Sequence, residues 1–127
     1  TTTTVDNSAA TTGSSSNSYA CANTSDRIFA LSYKDLINTS YGFNSSYSNN
    51  DTARRGVLTD YARATGAGMS TDSSYYGNGS WWSRSPNAGY SSYAWDVSFV
   101  GPLYDHYHYY VNYAYYGVRP SFTVSIG

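Results

Sequence analysis

The sequence predicts an α+β fold built from short irregular strands, two small helices and long loops. Strand-like alternation of apolar and polar residues is brief, as in 27–31 and 94–100. The two helical segments, about 33–37 and 60–64, are also brief, and each follows a residue that favours a helix N-cap. The segments between them are rich in Asn, Ser and Gly, which favour turns. With 127 residues the chain has the length of one domain.

The first 25 residues predict a strand at about 2–6 and then a surface loop through Thr24. The Thr-rich start has strand propensity, and Val5 suits an edge strand. The alternative is a disordered linker, because Thr, Ser, Asn and Ala dominate this segment. Since Thr1 is the first residue, we expect the chain to continue a longer protein. Residues 26–127 are expected to form the main domain.

Two helix starts carry recognisable caps. Segment 27–31 alternates as a strand, and Ser32 then offers an N-cap with Asp35 three residues later, a variant of the capping box. Thr59 caps the second helix, and Gly66 is placed to end it. The Arg54-Arg55 pair is compatible with a ligand contact, but we expect ion pairing to Asp51 or Asp60 instead.

The C-terminal half predicts four strands. Segment 81–85 should be a strand whose tryptophans point to opposite faces, so that one of them lies in the core. Segment 94–100 should turn the side chains of residues 95, 97 and 99 inward and those of 94, 96, 98 and 100 outward. A turn at Gly101-Pro102 should follow. The last strands are expected at 109–112 and 118–124.

One stretch, 87–116, differs in composition from the rest. It holds nine of the sixteen tyrosines and both histidines, and it contains no Lys, Arg, Glu, Gln or Met. Tyr, Ser, Asn and Gly are typical of recognition loops, in which tyrosine supplies rigid contact area and the small polar residues supply adaptable hydrogen bonds. The stretch therefore predicts a binding surface.

We expect the ligand-contacting side chains to be exposed and to cluster on one face, mainly within 90–93, 104–109 and 112–116. The full predicted set is Tyr90, Ser91, Ser92, Tyr93, Asp96, Ser98, Tyr104, Asp105, His106, Tyr107, His108, Tyr109, Asn112, Tyr113, Tyr115 and Tyr116.

Two short motifs flank the stretch: W-W-S-R-S-P at 81–86 and G-V-R-P at 117–120. Their predicted role is scaffolding, carried by Trp81, Trp82, Arg84, Gly117 and Arg119. The two arginines are expected to hold the ends of the stretch by pairing with Asp96 or with backbone carbonyls.

These motifs carry a resemblance. The flanking motifs, the spacing of Ala94, Val97 and Gly101, and the segments D-R-I-F-A-L-S at 26–32 and T-D-Y-A at 59–62 resemble an uncharacterised bacterial domain family. The arrangement is also similar to the variable proteins of diversity-generating retroelements. Every residue of 87–116 except Trp95 can be reached from an AAC or AAT asparagine codon by replacing adenines, and Tyr, Asn, Asp, His and Ser are over-represented.

The resemblance implies a C-type lectin fold of the formylglycine-generating-enzyme type. It also implies a ligand-binding domain whose surface near the C-terminus is diversified by adenine-directed mutagenesis. The expected ligand is a macromolecule, most simply a protein, and the expected location is a cell or virion surface. The enzymatic relatives depend on a cysteine pair, whereas this chain has only Cys21. Calcium-dependent sugar binding in similar lectins uses motifs with Glu or Gln, and this chain has neither.

Other functions are disfavoured by composition. The low, balanced charge lacks the basic footprint of a nucleic-acid binder. No apolar run approaches the roughly 20 residues that cross a membrane. No nucleophile motif is present, so we expect neither an enzyme nor a cofactor. Two alternatives stay open: a metal site at His106 and His108, and a self-associating structural or adhesion module built on tyrosine-rich strands.

Overall fold

The computed structural model describes residues 1–105 and 109–126. Within them lie short strands, two α-helices of one turn each, and three 3-10 turns, which confirms the predicted α+β class. The strands are β1 (Thr3–Val5), β2 (Thr24–Asp26), β3 (Gly56–Val57), β4 (Asn78–Gly79), β5 (Trp81–Pro86), β6 (Ala94–Val97), β7 (Leu103–Tyr104) and β8 (Gly117–Val118). The helices are α1 (Tyr33–Leu36) and α2 (Asp60–Ala64), and the 3-10 turns are Ala9–Thr11, Thr39–Tyr41 and Thr52–Arg54.

The main sheet has four strands in the order β7-β6-β5-β8, and two two-stranded sheets, β1-β2 and β3-β4, accompany it. Strand β8 runs parallel to β5, and the other pairs are antiparallel. In register, Trp82 lies beside Asp96, and Asp96 lies beside Tyr104. Since neighbours in register project to the same side of a sheet, these three side chains share one face.

The opposite face of the main sheet carries the core. Trp81, Val97 and Leu103 are neighbours in register, and they pack with Leu36 of α1 in one buried cluster. Trp81 is 3% exposed whereas Trp82 is half-buried, so the prediction that the two tryptophans divide between the faces is confirmed.

Both predicted helices are present with their caps. The Ser32 side chain accepts a hydrogen bond from the Asp35 amide at 3.0 Å, and the Asp35 carboxylate accepts one from the Ser32 amide at 2.9 Å. Thr59 accepts from the Ala62 amide at 3.1 Å, and Gly66 follows α2 with a φ of 105°. These caps satisfy amide groups that a one-turn helix leaves without partners.

Several predicted strands are displaced or missing. The N-terminal strand is confirmed as β1, but its partner is β2, which spans the boundary that we placed after residue 25. Segment 27–31 is not a strand: Ile28 is 67% exposed, and Phe29 makes only an isolated bridge to Ser121. Strand β6 ends at Val97, since the Gly101 amide donates to the Ser98 carbonyl at 2.9 Å and closes a turn.

The last two predicted strands are also wrong. Residues 109–112 contain no strand, because the Val111 amide donates to the Ser92 carbonyl at 3.0 Å and the following residues form a turn. Of the predicted segment 118–124, only Val118 belongs to a strand, β8.

The side chain of Arg54 is fully buried, contrary to the surface role that we expected. Its predicted ion pair with Asp51 exists, with 3.4 Å between Nε and Oδ2. The guanidinium also donates to backbone carbonyls of α1 and of two loops, including Leu36 at 2.7 Å and Ser46 at 2.9 Å. The remaining acceptors are the carbonyls of Asn44, Tyr47, Asn49 and Gly101.

Replacing Arg54 by Lys should destabilise the fold by at least about 3 kcal/mol, because an ammonium cannot reach carbonyls that the planar guanidinium serves together. Urea unfolding of both proteins measures the difference. The matched control is Arg63→Lys: Arg63 is half-exposed and pairs loosely with Asp60 at 3.9 Å. That change should stay within about 0.5 kcal/mol. Equal losses in the two variants would contradict the role of Arg54.

Candidate ligand-binding surface

The described tyrosines of 87–116 gather over the face of the main sheet that points away from the core. Trp82, on that face, contacts the ring of Tyr116 with 4.9 Å between centroids. Tyr104 extends the face at the β7 edge and is 39% exposed. The sheet therefore stands between the apolar core and a layer of tyrosine rings.

Four of these tyrosines form one aromatic cluster. The rings of Tyr109 and Tyr113 stack at 4.5 Å, and Tyr116 approaches them at 5.3 and 5.5 Å. Tyr115 joins through Tyr113 at 5.8 Å. Such ring pairs stabilise one another beyond the area they bury. We call Tyr109, Tyr113, Tyr115 and Tyr116 the tyrosine cluster.

A second set of rings continues the surface. Tyr93 stacks on Tyr110 at 5.2 Å and meets Tyr90 edge-on at 5.7 Å. Because Tyr110 follows Tyr109 in the chain, this set adjoins the tyrosine cluster. The segments 90–93 and 109–116 are joined further by the hydrogen bond from the Val111 amide to the Ser92 carbonyl.

Asn87 anchors the first of these segments, a role that the sequence did not reveal. It is 4% exposed, and its Oδ1 accepts from the amides of Gly89 and Tyr90 at 2.7 and 3.2 Å. Its Nδ2 donates to the Asp105 carbonyl at 3.2 Å. The buried side chain of Asn87 thus connects residues 89–90 to the segment after β7. Its position directly after the first flanking motif was the available signal.

Gly68, also missed from sequence, seats the ring of Tyr115. Its amide donates to the Tyr115 carbonyl at 2.8 Å. A Cβ at residue 68 would lie only 1.7 Å from a carbon of the Tyr115 ring, so any other residue there would displace that ring. Gly68, Phe99 and the tyrosine cluster line a cavity of about 190 Å³.

The exposure of the predicted contact residues largely follows expectation. Tyr93, Ser98, Tyr109 and Tyr116 are half-buried. His106, Tyr107 and His108, with the alternative metal site, lie outside the described residues. The exposed members of the set are Tyr90, Ser91, Ser92, Tyr104, Asp105, Asn112, Tyr113 and Tyr115.

The prediction for Asp96 was wrong: we expected it on the ligand-contacting surface, but it is only 1% exposed. It lies in the middle of the sheet, between Trp82 of β5 and Tyr104 of β7, so neighbouring strands and the rings above cover it. Within the part of the chain that the structure describes, neither carboxylate oxygen of Asp96 has a hydrogen-bond partner. Burial, helped by the charge of Asp105, raises the pKa of Asp96 to about 7.

The flanking arginines hold the scaffold through carbonyls rather than through Asp96. Arg84 donates to the Asp35 carboxylate and to the Ala30 carbonyl, both at 2.7 Å. Arg119 donates to the carbonyls of residues 53, 54 and 55 at 3.2 to 3.4 Å, and its guanidinium lies 5.4 Å from the Trp81 ring. Carbonyl pairing was one of our two expectations and is observed for both arginines, whereas the ion pair of Arg84 with Asp35 was not expected.

The described residues contain neither a metal-ligand group nor a membrane-spanning helix. Within 1–105 and 109–126, no group of three His, Cys, Asp or Glu side chains is placed to hold a metal ion. No helix in this part of the chain is long and apolar enough to span a membrane. Cys21 is exposed and unpaired.

The raised pKa of Asp96 predicts a pH-dependent stability. The folded protein binds this proton more tightly than the unfolded chain, so the contribution of Asp96 is most favourable near pH 4. It is lost as the pH rises through about 7. The full difference is about 4 kcal/mol at most. Asp96→Asn should therefore stabilise the protein at pH 8 and change little at pH 4, as measured by urea unfolding across this range.

Among the described residues, three other titratable groups lie near Asp96: Asp105, which raises its pKa, Tyr116, and Tyr104, its neighbour in register. Asp105→Asn is therefore an informative control. It should keep the pH dependence and move its midpoint to lower pH. A wild-type pH profile in Asp96→Asn would show that another group causes the effect.

Comparison with known proteins identifies a family. No curated protein and no solved structure matches the chain significantly. One protein family, described as a domain of unknown function, matches residues 1–126, which includes the N-terminal segment that we had set apart. The chain belongs to this family, DUF6273.

Proposed function

We propose that the protein is a ligand-binding domain that recognises a macromolecular target, a protein, through the tyrosine-rich surface of 87–116, and that a retroelement diversifies this surface. The observation that carries the proposal is the separation of the two faces of the main sheet. The core is built from one face, and the tyrosine layer lies on the other with Tyr90, Tyr113 and Tyr115 exposed.

The position of the flanking motifs supports diversification. The first motif forms β5, and the second begins with β8, its parallel neighbour in the sheet, where Trp81 pairs with Gly117. The Gly117 amide also donates to the Ser80 carbonyl at 2.9 Å. The strands that flank the stretch are thus neighbours in the sheet, and the stretch itself supplies β6 and β7 on the other side of β5. A scaffold fixed at both ends in this way can display different side chains between them.

The shape of the surface favours a protein ligand. The cavity in the tyrosine cluster, about 190 Å³, is smaller than the roughly 300–1,000 Å³ typical of drug-sized ligands. Exposed tyrosines instead resemble the aromatic anchors that dominate protein interfaces. We assign no catalytic residue and no cofactor to this site, and we propose display at a cell or virion surface.

A self-associating structural or adhesion module is the second candidate. It is favoured by exposed apolar side chains near the C-terminus, with Phe122 and Val124 about 70% exposed and Ile126 96% exposed. Sedimentation of the protein over a range of concentrations distinguishes the two. A stable dimer or polymer that dissociates on Phe122→Ser would favour the second candidate.

Diversification is tested in the gene. We expect a near-copy of the DNA encoding 87–116 close to the gene, with adenines at the positions that differ, together with a gene for a reverse transcriptase. A neighbourhood that lacks both would contradict the diversified reading and leave target recognition as a separate question.

The scaffold should tolerate changes in the tyrosine layer. Tyr115→Ser should alter stability by about 0.5 kcal/mol, because this ring is 51% exposed. Trp81→Ala should cost roughly 3–5 kcal/mol, because it opens a cavity in the core. Thermal unfolding gives both values, and the reverse order would mean that the tyrosines are the true core.

Target binding should depend on a few central rings. Once a target is isolated by crosslinking to the intact protein, Tyr109→Ala or Tyr115→Ala should lower its affinity by at least about 2 kcal/mol, roughly 30-fold. Ser15→Ala, in an exposed loop of the N-terminal segment, is the control and should leave affinity unchanged. Calorimetric titration measures the constants, and unchanged affinity in both tyrosine variants would place the binding site elsewhere.

A further inference from the structure

We propose that the cavity in the tyrosine cluster receives a cationic side chain, lysine or arginine, of the protein target. This inference rests on the proposed function and adds the chemistry that one part of the surface would select. Three features carry it: the aromatic lining of the cavity, the unpaired buried carboxylate beneath it, and the placement of the described cations elsewhere.

Aromatic rings form the larger part of the cavity lining, which also includes Gly68, Met69, Ser70 and Ser80. The tyrosine cluster supplies four rings and Phe99 a fifth, around a volume of about 190 Å³. The face of an aromatic ring carries partial negative charge and attracts ammonium and guanidinium groups within about 6 Å of its centre. A cavity of this size suits a single side-chain head group.

Above about pH 7, where it is ionised, the carboxylate of Asp96 adds negative charge beneath the cavity wall. Tyr116 lines the cavity, and its ring contacts Trp82, the neighbour of Asp96 in register on the same face of the sheet, so Asp96 lies beneath this wall. Both oxygens of Asp96 lack a hydrogen-bond partner, and the side chain is shielded from solvent. Its field is therefore screened less than that of a surface charge.

The cationic side chains of the described residues do not neutralise the negative charge of Asp96 beneath the cavity. Stretch 87–116 contains no Lys or Arg. Arg84 is paired with Asp35, and Arg119 is held on carbonyls beside Trp81. Arg55 lies over the ring of Tyr75 at 4.9 Å, and Tyr75 meets Phe99 of the cavity wall edge-on, so Tyr75 and Phe99 separate Arg55 from the cavity.

A side chain, rather than a free small cation, is the favoured occupant because of where the cavity lies. Its wall includes Tyr113 and Tyr115, which are 37% and 51% exposed and belong to the wider surface. A head group in the cavity would bring its own backbone against those exposed rings. A free small cation would gain none of that contact.

The test compares cations with neutral molecules of the same shape. N-acetyl-arginine methylamide and its citrulline counterpart are titrated into the intact protein at pH 8, and the tyrosine ring resonances are followed by NMR. We expect shifts confined to the tyrosine cluster for the arginine probe, and much smaller shifts for citrulline. Equal responses to the two probes would overturn the proposal.

Variants of the protein separate the contributions. Tyr113→Leu keeps an apolar wall but removes a ring, and it should weaken the arginine probe by about two- to fivefold. Tyr41→Leu, an exposed tyrosine outside both the cavity lining and the stretch 87–116, should not weaken it. Asp96→Asn should also weaken the probe at pH 8, where the wild-type carboxyl is ionised. Wild-type binding in both Tyr113→Leu and Asp96→Asn would overturn the assignment.

A third probe, choline, identifies the source of the cation. Choline that binds more tightly than the arginine probe would favour a free small cation and overturn the assignment to a target side chain. If no probe binds while an isolated target still depends on Tyr109 and Tyr115, the cation inference fails and the proposed function stands. If the isolated target ignores both tyrosines, the proposed function fails even where a cation binds.

Discussion

Loops make up most of this chain, and the buried guanidinium of Arg54 is what holds them against the small core. It donates hydrogen bonds to carbonyls of α1, of the loop around residues 44–49 and of Gly101. Without it these carbonyls would be buried with no hydrogen-bond donor. The carbonyl of Arg54 itself accepts from the Trp81 indole at 3.1 Å and from Arg119 at 3.2 Å. One residue therefore connects the loops, the central core side chain and the second flanking motif.

This arrangement explains how a chain poor in aliphatic residues supports an exposed aromatic layer. The buried cluster is small, centred on Trp81, Val97 and Leu103, and half-buried aromatic side chains such as Tyr33 and Trp95 enlarge it, with their ring centroids 4.5 Å apart. All of this packing lies on one face of the main sheet or beside it. The other face is left to tyrosines that contact mainly one another, so their loss should disturb the core little.

The helix caps, which involve residues close in sequence, could be predicted from the sequence, whereas the pairing of distant strands could not. The capping box at Ser32 and the cap at Thr59 involve residues three positions apart, so both helices could be placed correctly. The strand pairs β1-β2 and β3-β4 join distant segments of two or three residues, too short for a periodic signal. The exposed tyrosines were predicted from composition, whereas Asn87, Gly68 and the burial of Asp96 depend on tertiary contacts.

Because Asp96 is buried, the proposed diversification cannot replace every residue of 87–116 without disturbing the fold. Strand β6 lies between β5 and β7, and its Asp96 and Val97 are buried on opposite faces. Substitutions in β6 would therefore disturb the packing on both faces of the sheet. Trp95, the one residue of the stretch that adenine replacement in an asparagine codon cannot produce, belongs to this strand. On our proposal, variation should therefore concentrate in 90–93 and 104–116, and 94–103 should stay constant. Asp96 would then place the same negative charge beneath whichever side chains are displayed above it, so a preference for cations would persist as the surface changes.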